Sequence, residues 1–361
     1  MIHPMHEKYA KLLVNYCTQV GQGDKVSLNV QSLAMPMARA LYREVLQAGG
    51  QPILHISYPE MTEDFLELAQ DHHYQDASLE LSEIRQIDAW IRVGAPHNSR
   101  ALQEANKEKL NLMAKRLREV QNYRVQHTRW CGTLFPTEAG AQDAGMSLSA
   151  YEDFVYGAMF LFADDPVAKW QEIYDFQAKL IERLSKADEV HILAEGTDLK
   201  MRLKDRTWVN SDGKRNMPSG EVFSSPIEDS AQGYITFGIP SSVNGVEVEN
   251  IFLRFDKGEV IEAKAEKGDD FLQAQLASDE GARYLGELGI GTNYHIQRPS
   301  KSILYDEKIG GTVHLALGQG YLDTGSNNHS AIHWDMICDL RQGGEIYLDG
   351  ELFQRHGRFV N

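Results

Sequence analysis

Along the first half of the chain, stretches with apolar residues at three- and four-residue steps alternate with short β-rich runs. Helical spacing covers residues 6–19, and KVSLNV (25–30) follows as a strand. PMARALYREVLQAGG (36–50) predicts a helix opened by proline and closed by glycines. PILHISY (52–58), AWIRVGA (89–95) and TRWCGTLF (128–135) are strand-like, with helices expected near 61–71 and 104–120 between them. Such alternation predicts a doubly wound α/β domain on a mostly parallel sheet. No GxGxxG or P-loop stands at a strand-to-helix junction, so a nucleotide site is not indicated.

Residues 165–186 predict one long amphipathic helix, with Trp170, Ile173, Phe176, Leu180 and Leu184 along its apolar stripe. Beyond it the pattern changes. EVHILAEGTDLKMRLKD, GYITFGIP, VEVENIFLRFDKGEVIEAKAEKG and KIGGTVHLALG alternate apolar and polar positions between turn signals such as Asp212-Gly213 and Asn244-Gly245. This half is expected to be a β-rich α+β domain. The expected division is residues 1–186 and 187–361.

Composition narrows the function classes. At 361 residues, 42% hydrophobic and 24% charged, the chain has the profile of a globular protein with substantial cores. A formal net charge of −16 disfavours a nucleic-acid or anionic-membrane partner, since both need clustered cations. No run is long enough to span a bilayer, and MIHPMHEKYAKLL lacks a signal-peptide core, so a cytoplasmic protein is expected. Cys17, Cys131 and Cys338 show no paired spacing and read as reduced buried thiols.

The second half holds the unusual polar residues. Glu221 lies in MPSGEVF, Glu287 in YLGELGIG, and Asp306, Glu307, His314 and Tyr321 in ILYDEKIGGTVHLALGQGY. His333 and Asp335 lie two residues apart in SAIHWDMICDL, so on a strand they share a face. Taken singly, each has a plainer reading: a hydrogen-bonded core histidine, a salt-bridged glutamate. Converging on one place, two glutamates, an aspartate and two histidines could hold two divalent ions, and such oxygen and imidazole ligands suit zinc, cobalt or manganese. Two neighbouring ions can activate a water against a carbonyl. A carboxylate could take that water's proton, and a tyrosine hydroxyl could stabilise the oxyanion. There is no HExxH helix.

These motifs, in this order, resemble the thermophilic aminopeptidase family that includes aminopeptidases T and S. The similarity is strongest over residues 187–361 and covers only the layout of the first half. It implies two-metal exopeptidase activity on short peptides with a free N-terminus. It assigns Glu221, Glu287, His314, His333 and Asp335 as metal ligands, with Glu287 bridging. Glu307 takes the place of the general base and Tyr321 that of the catalytic tyrosine. The segment from Glu307 to His314 is longer than the family pattern, and that from Tyr321 to His333 shorter. The resemblance also implies a homodimer whose N-terminal domain supplies the contact and limits access. Two competing readings accompany it. Related ring-cleaving dioxygenases of dihydroxypyridines keep the His-x-Asp pair around a single Fe(II), but lose the glutamates that stand here as Glu221 and Glu287. A non-catalytic binding protein would show damaged ligand positions, and none is found.

Overall fold

The structure, a computed structural model, describes residues 2–243 and 245–360. The chain forms two compact units: one from residues up to 168 together with 213–218, the other from 169–212 together with 219 onward.

The first unit is built on a five-stranded parallel sheet. Its strands run in the order Gln51–Ser57, Lys25–Gln31, Ala89–Gly94, Arg129–Leu134 and Asn216–Met217. The expected helix–strand alternation is present. The helix Met35–Gln47 buries Met37, Ala38, Leu41 and Val45, the face its apolar spacing marks out. The first helix differs from a uniform α-helix, since Pro4–Lys11 gives way to a π-helical segment over Leu12–Cys17. The helix after Ala89–Gly94 runs further than expected, Lys107–His127, and is capped by the Asn106 side chain accepting from the Lys109 amide at 3.1 Å. The outermost strand, Gln51–Ser57, leaves Ile53, Leu54 and Ile56 exposed by 37, 38 and 43%. A buried parallel strand would hide these residues.

The second unit opens with the long helix, whose observed bounds are Pro166–Leu184. Trp170, Leu180 and Leu184 are buried along it, as expected, and so is Gln177. Antiparallel sheets follow, one of eight strands and one of five. The five-stranded sheet runs His333–Asp339, Thr312–Gly318, Leu285–Gly291, Glu221–Ser224 and Val209–Ser211, antiparallel throughout. One of its faces carries Val222, Leu288, Ile290, Val313, Leu315, Leu317, Trp334, Met336 and Cys338 into the main core. At about 1.5–3 kcal/mol per fully buried large apolar side chain, this face fixes strand register, because a one-residue slip would turn every side chain over.

The two turn signals resolve differently. Asp212-Gly213 does not close a hairpin: Val209–Ser211 pairs with Glu221–Ser224, while Asn216–Met217 joins the parallel sheet of the first unit. At the other, Ser241–Val243 pairs with Val246–Val248 as a hairpin, and Asn244 itself lies outside the described residues.

Candidate metal centre

With one face of the five-stranded sheet committed to the core, alternation places the intervening residues on the other face. Register then assembles them into rows. Asp335 stands beside Ala316, and Ala316 beside Glu287. In the next row come Ile337, His314, Gly289 and Phe223, and beyond it Asp339, Thr312, Gly291 and Glu221. His333, opposite Gly318, completes the set at the strand's start. All five expected ligands therefore converge, although they come from four strands.

The small residues of LGELGIG explain how such bulky groups share one face. A Cβ on Gly289 would lie 2.0 Å from His314 Cε1 and 2.1 Å from Nε2, so the imidazole rests directly on that glycine. A Cβ on Gly291 would lie 2.0 Å from the Ile309 carbonyl oxygen. The backbone after the short helix Ile303–Asp306 crosses there, and this carries Glu307 and Lys308 over the site.

Three overlapping groups emerge, and two of them share Glu287. Glu221, Glu287 and His314 each offer a ligand atom within 4.8 Å of the others, and so do Glu287, His333 and Asp335. Glu287 faces one histidine with each oxygen: Oε1 is 3.3 Å from His314 Nε2, and Oε2 is 3.4 Å from His333 Nε2. Glu221 Oε2 lies 3.5 Å from His314 Nε2, and Asp335 Oδ2 lies 3.5 Å from His333 Nε2. These separations exceed a good N–H···O bond. They match the spacing of about 3.3–3.4 Å between neighbouring ligand atoms set about 2.0–2.1 Å from one tetrahedral ion. Glu221 Oε2 and Asp335 Oδ1 are buried without a hydrogen-bond partner. Buried carboxylate oxygens are costly unless something positive meets them. The donor set thus fits divalent cations.

The His333 imidazole is also oriented. His333 Nδ1–H donates to the Gln319 carbonyl at 2.7 Å, which leaves Nε2 turned toward the carboxylates. A backbone carbonyl on the far nitrogen is the usual way a ligating histidine is held. Burial pushes Glu287 upward, but the hydrogen bonds and charges of His314 and His333 prevail and hold it down at about 2. Burial likewise pulls His333 down, yet Glu287 and Asp335 raise it to about 9. Asp335 is raised, by burial first and by the neighbouring Glu287 and Glu221 carboxylates. The field that draws protons onto the histidines is the field any cation there would feel.

Glu307 also arrives: its carboxylate lies within 4.8 Å of ligand atoms of His314 and Asp335. Tyr321 stands at the open edge, 44% exposed, its ring 5.2 Å from that of His333 and 5.4 Å from that of Phe223.

Two contributors escaped the sequence reading. Lys308 is fully buried, with Nζ 3.0 Å from Glu221 Oε1 and in close contact with Glu307 Oε1. It neutralises part of the acidic cluster and restrains both carboxylates. Gln177 donates through Nε2 to the Glu221 carbonyl at 3.0 Å, to Thr292 Oγ1 at 2.9 Å and to the Ser211 carbonyl at 3.3 Å. It ties down the backbone that presents Glu221. One signal for it was visible, a glutamine within the apolar stripe of a long helix.

Comparison with known proteins identifies the family and the fold. The sequence model of a family described as thermophilic metalloprotease (M29) matches residues 3–359. Aminopeptidase 2 of Geobacillus stearothermophilus is 26% identical, over 95% of this chain and 93% of its own. Aminopeptidase PepS of Streptococcus thermophilus is also 26% identical over the same shares. Aminopeptidase T of Thermus thermophilus is 27% identical over 65% of this chain and 64% of its own. The solved structure of wild-type AmpT from Thermus thermophilus superposes with a TM-score of 0.85, covering 99% of each chain at 23% identity. It bears out the expected fold class, a parallel α/β first part followed by antiparallel, strand-rich sheets.

Proposed function

The chain belongs to the thermophilic metalloprotease family, M29, and from that premise we propose that it is a metal-dependent aminopeptidase releasing the N-terminal residue of short peptides. The observation that carries this reading is Glu287, which turns one carboxylate oxygen toward each of two histidines that each face a further carboxylate. Glu221, Glu287 and His314 would hold one divalent ion, and Glu287, His333 and Asp335 a second, drawn from zinc, cobalt and manganese. When bound, such ions supply Lewis acidity that lowers the pKa of a water and polarises the scissile carbonyl.

The remaining work falls to the chain's own groups. Glu307 accepts the proton of the attacking water and passes it to the departing amine, a general base placed beside the cluster and restrained by Lys308. The Tyr321 hydroxyl donates a hydrogen bond to the carbonyl oxygen as negative charge grows on it. The reading requires a free N-terminus on the substrate. The dioxygenase reading finds no support: the named relatives are aminopeptidases, and Glu221 and Glu287 both stand in the cluster.

The test combines chelation with blocked substrates. Metal-loaded protein is expected to cleave unblocked di- and tripeptides and to lose that activity with EDTA. N-acetylated versions should be cleaved at least about a hundredfold more slowly, because a positioned charged group contributes several kcal/mol. Equal rates on free and acetylated peptides would exclude an aminopeptidase.

A cytoplasmic homodimer completes the proposal. It is supported by three buried cysteines, none of them in a disulfide, and by the exposed apolar edge strand of the first unit, a surface of the kind that invites pairing. No helix among the described residues is long and apolar enough to cross a membrane. A single-chain mass in sedimentation equilibrium at micromolar concentration would rule the dimer out.

A further inference from the structure

We infer that the cavity beside His333 and Asp335 receives the side chain of the substrate's N-terminal residue and selects large apolar ones, leucine, methionine or phenylalanine. The inference rests on the aminopeptidase reading and deepens it. In an N-terminal residue the α-amino nitrogen, the scissile carbonyl carbon and the side chain all hang from one Cα. If the first two meet the carboxylate–histidine cluster, the side chain must begin there too. A cavity of about 260 Å³ borders the cluster at His333 and Asp335 and continues along the same strand face to Ile337. It is large enough for a phenyl ring, since a cavity of roughly 150 Å³ lined by aliphatic and aromatic residues holds benzene.

Its walls decide the chemical class. Ile239, Pro240, Val243, Ile303, Trp334 and Ile337 supply apolar lining, and Ser241 and Ser242 add small hydroxyls between them. Lys301 and Asp306 also border the cavity, but both charges are engaged elsewhere. Lys301 Nζ is in close contact with Glu247 Oε1. Asp306 Oδ1 accepts from the Ser300 amide and hydroxyl, each at 2.8 Å. With Lys301 paired to Glu247, Asp306 Oδ1 accepting two hydrogen bonds and Asp335 committed to the cluster, a lysine or aspartate entering here would be desolvated without an uncommitted charged partner.

The experiment measures kcat/KM of zinc-loaded wild type for the amides of leucine, phenylalanine, alanine, aspartate and lysine. Leucine and phenylalanine are expected to exceed alanine at least about tenfold, and the charged residues by more, the range a hydrophobic pocket achieves per methylene or two. Ile303→Trp places a large ring at a half-exposed wall and should lower the phenylalanine-to-alanine ratio about tenfold. Ile337→Ala should shift preference toward tryptophan over leucine. Flat preferences in wild type, or ratios unmoved in both variants, would overturn the inference. Calorimetric binding of free L-phenylalanine against L-alanine reads the cavity apart from turnover. Discrimination without hydrolysis would count against the catalytic reading alone and sustain the cavity assignment, whereas hydrolysis without discrimination would sink the assignment alone.

Discussion

Glu287→Ala is expected to lower kcat on unblocked peptides by at least about a thousandfold, since Lewis-acid stabilisation contributes several kcal/mol and each 1.36 kcal/mol is a factor of ten. Glu287 faces a histidine in each half of the cluster. Its two oxygens stand 3.3 and 3.4 Å from the Nε2 atoms of His314 and His333, so its removal takes a carboxylate oxygen from each side at once. Elemental analysis after dialysis should show the loss directly, with fewer than two ions retained per chain. Glu287→Gln keeps the shape and removes the charge, so it should fall between wild type and alanine in metal retention. Undiminished turnover by Glu287→Ala would remove the chemical basis of the site.

Gly289→Ala should come close to that effect without changing any residue of the cluster. The added methyl would sit 2.0 Å from His314 Cε1, and His314 is buried, at 1% exposure. Either the ring swings away from Glu221 and Glu287 or the strands part. Overpacking of this kind costs about 1–3 kcal/mol of stability. A displacement near 1 Å at a reacting centre costs about a hundredfold in rate. The variant should therefore lose about a hundredfold in kcat/KM and bind zinc more weakly in a competition assay. Gly238→Ala is the control: a Cβ there meets nothing within 4 Å and should leave both measurements near wild type. Equal behaviour of the two variants would show that His314 does not depend on the clearance at Gly289.

The architecture was legible to different depths in different places. Periodicity located the parallel-sheet strands at Lys25–Gln31, Gln51–Ser57, Ala89–Gly94 and Arg129–Leu134, because runs of β-branched residues between amphipathic helices leave few alternatives. It placed His333 and Asp335 on one face and Trp334, Met336 and Cys338 in the core, since a strand's period of two permits nothing else once it is buried on one side. Lys308 was not legible. A lysine after two acids reads as a solvated charge, and only the crossing of its loop over Gly291 buries it against Glu221.

Residue types and their spacing were enough to name the acids, imidazoles and tyrosine available for chemistry, and to say which neighbours within a strand look the same way. Which groups from different strands meet was settled by tertiary register: Ala316 between Asp335 and Glu287, Gly289 beneath His314, and a return of residues 213–218 to the parallel sheet just before Glu221. The reason lies in range. Alternation and helical spacing are local and act through the chain's own geometry. The pairing of strands separated by dozens of residues is decided by the burial of one whole apolar face, to which every strand contributes and which no single segment encodes.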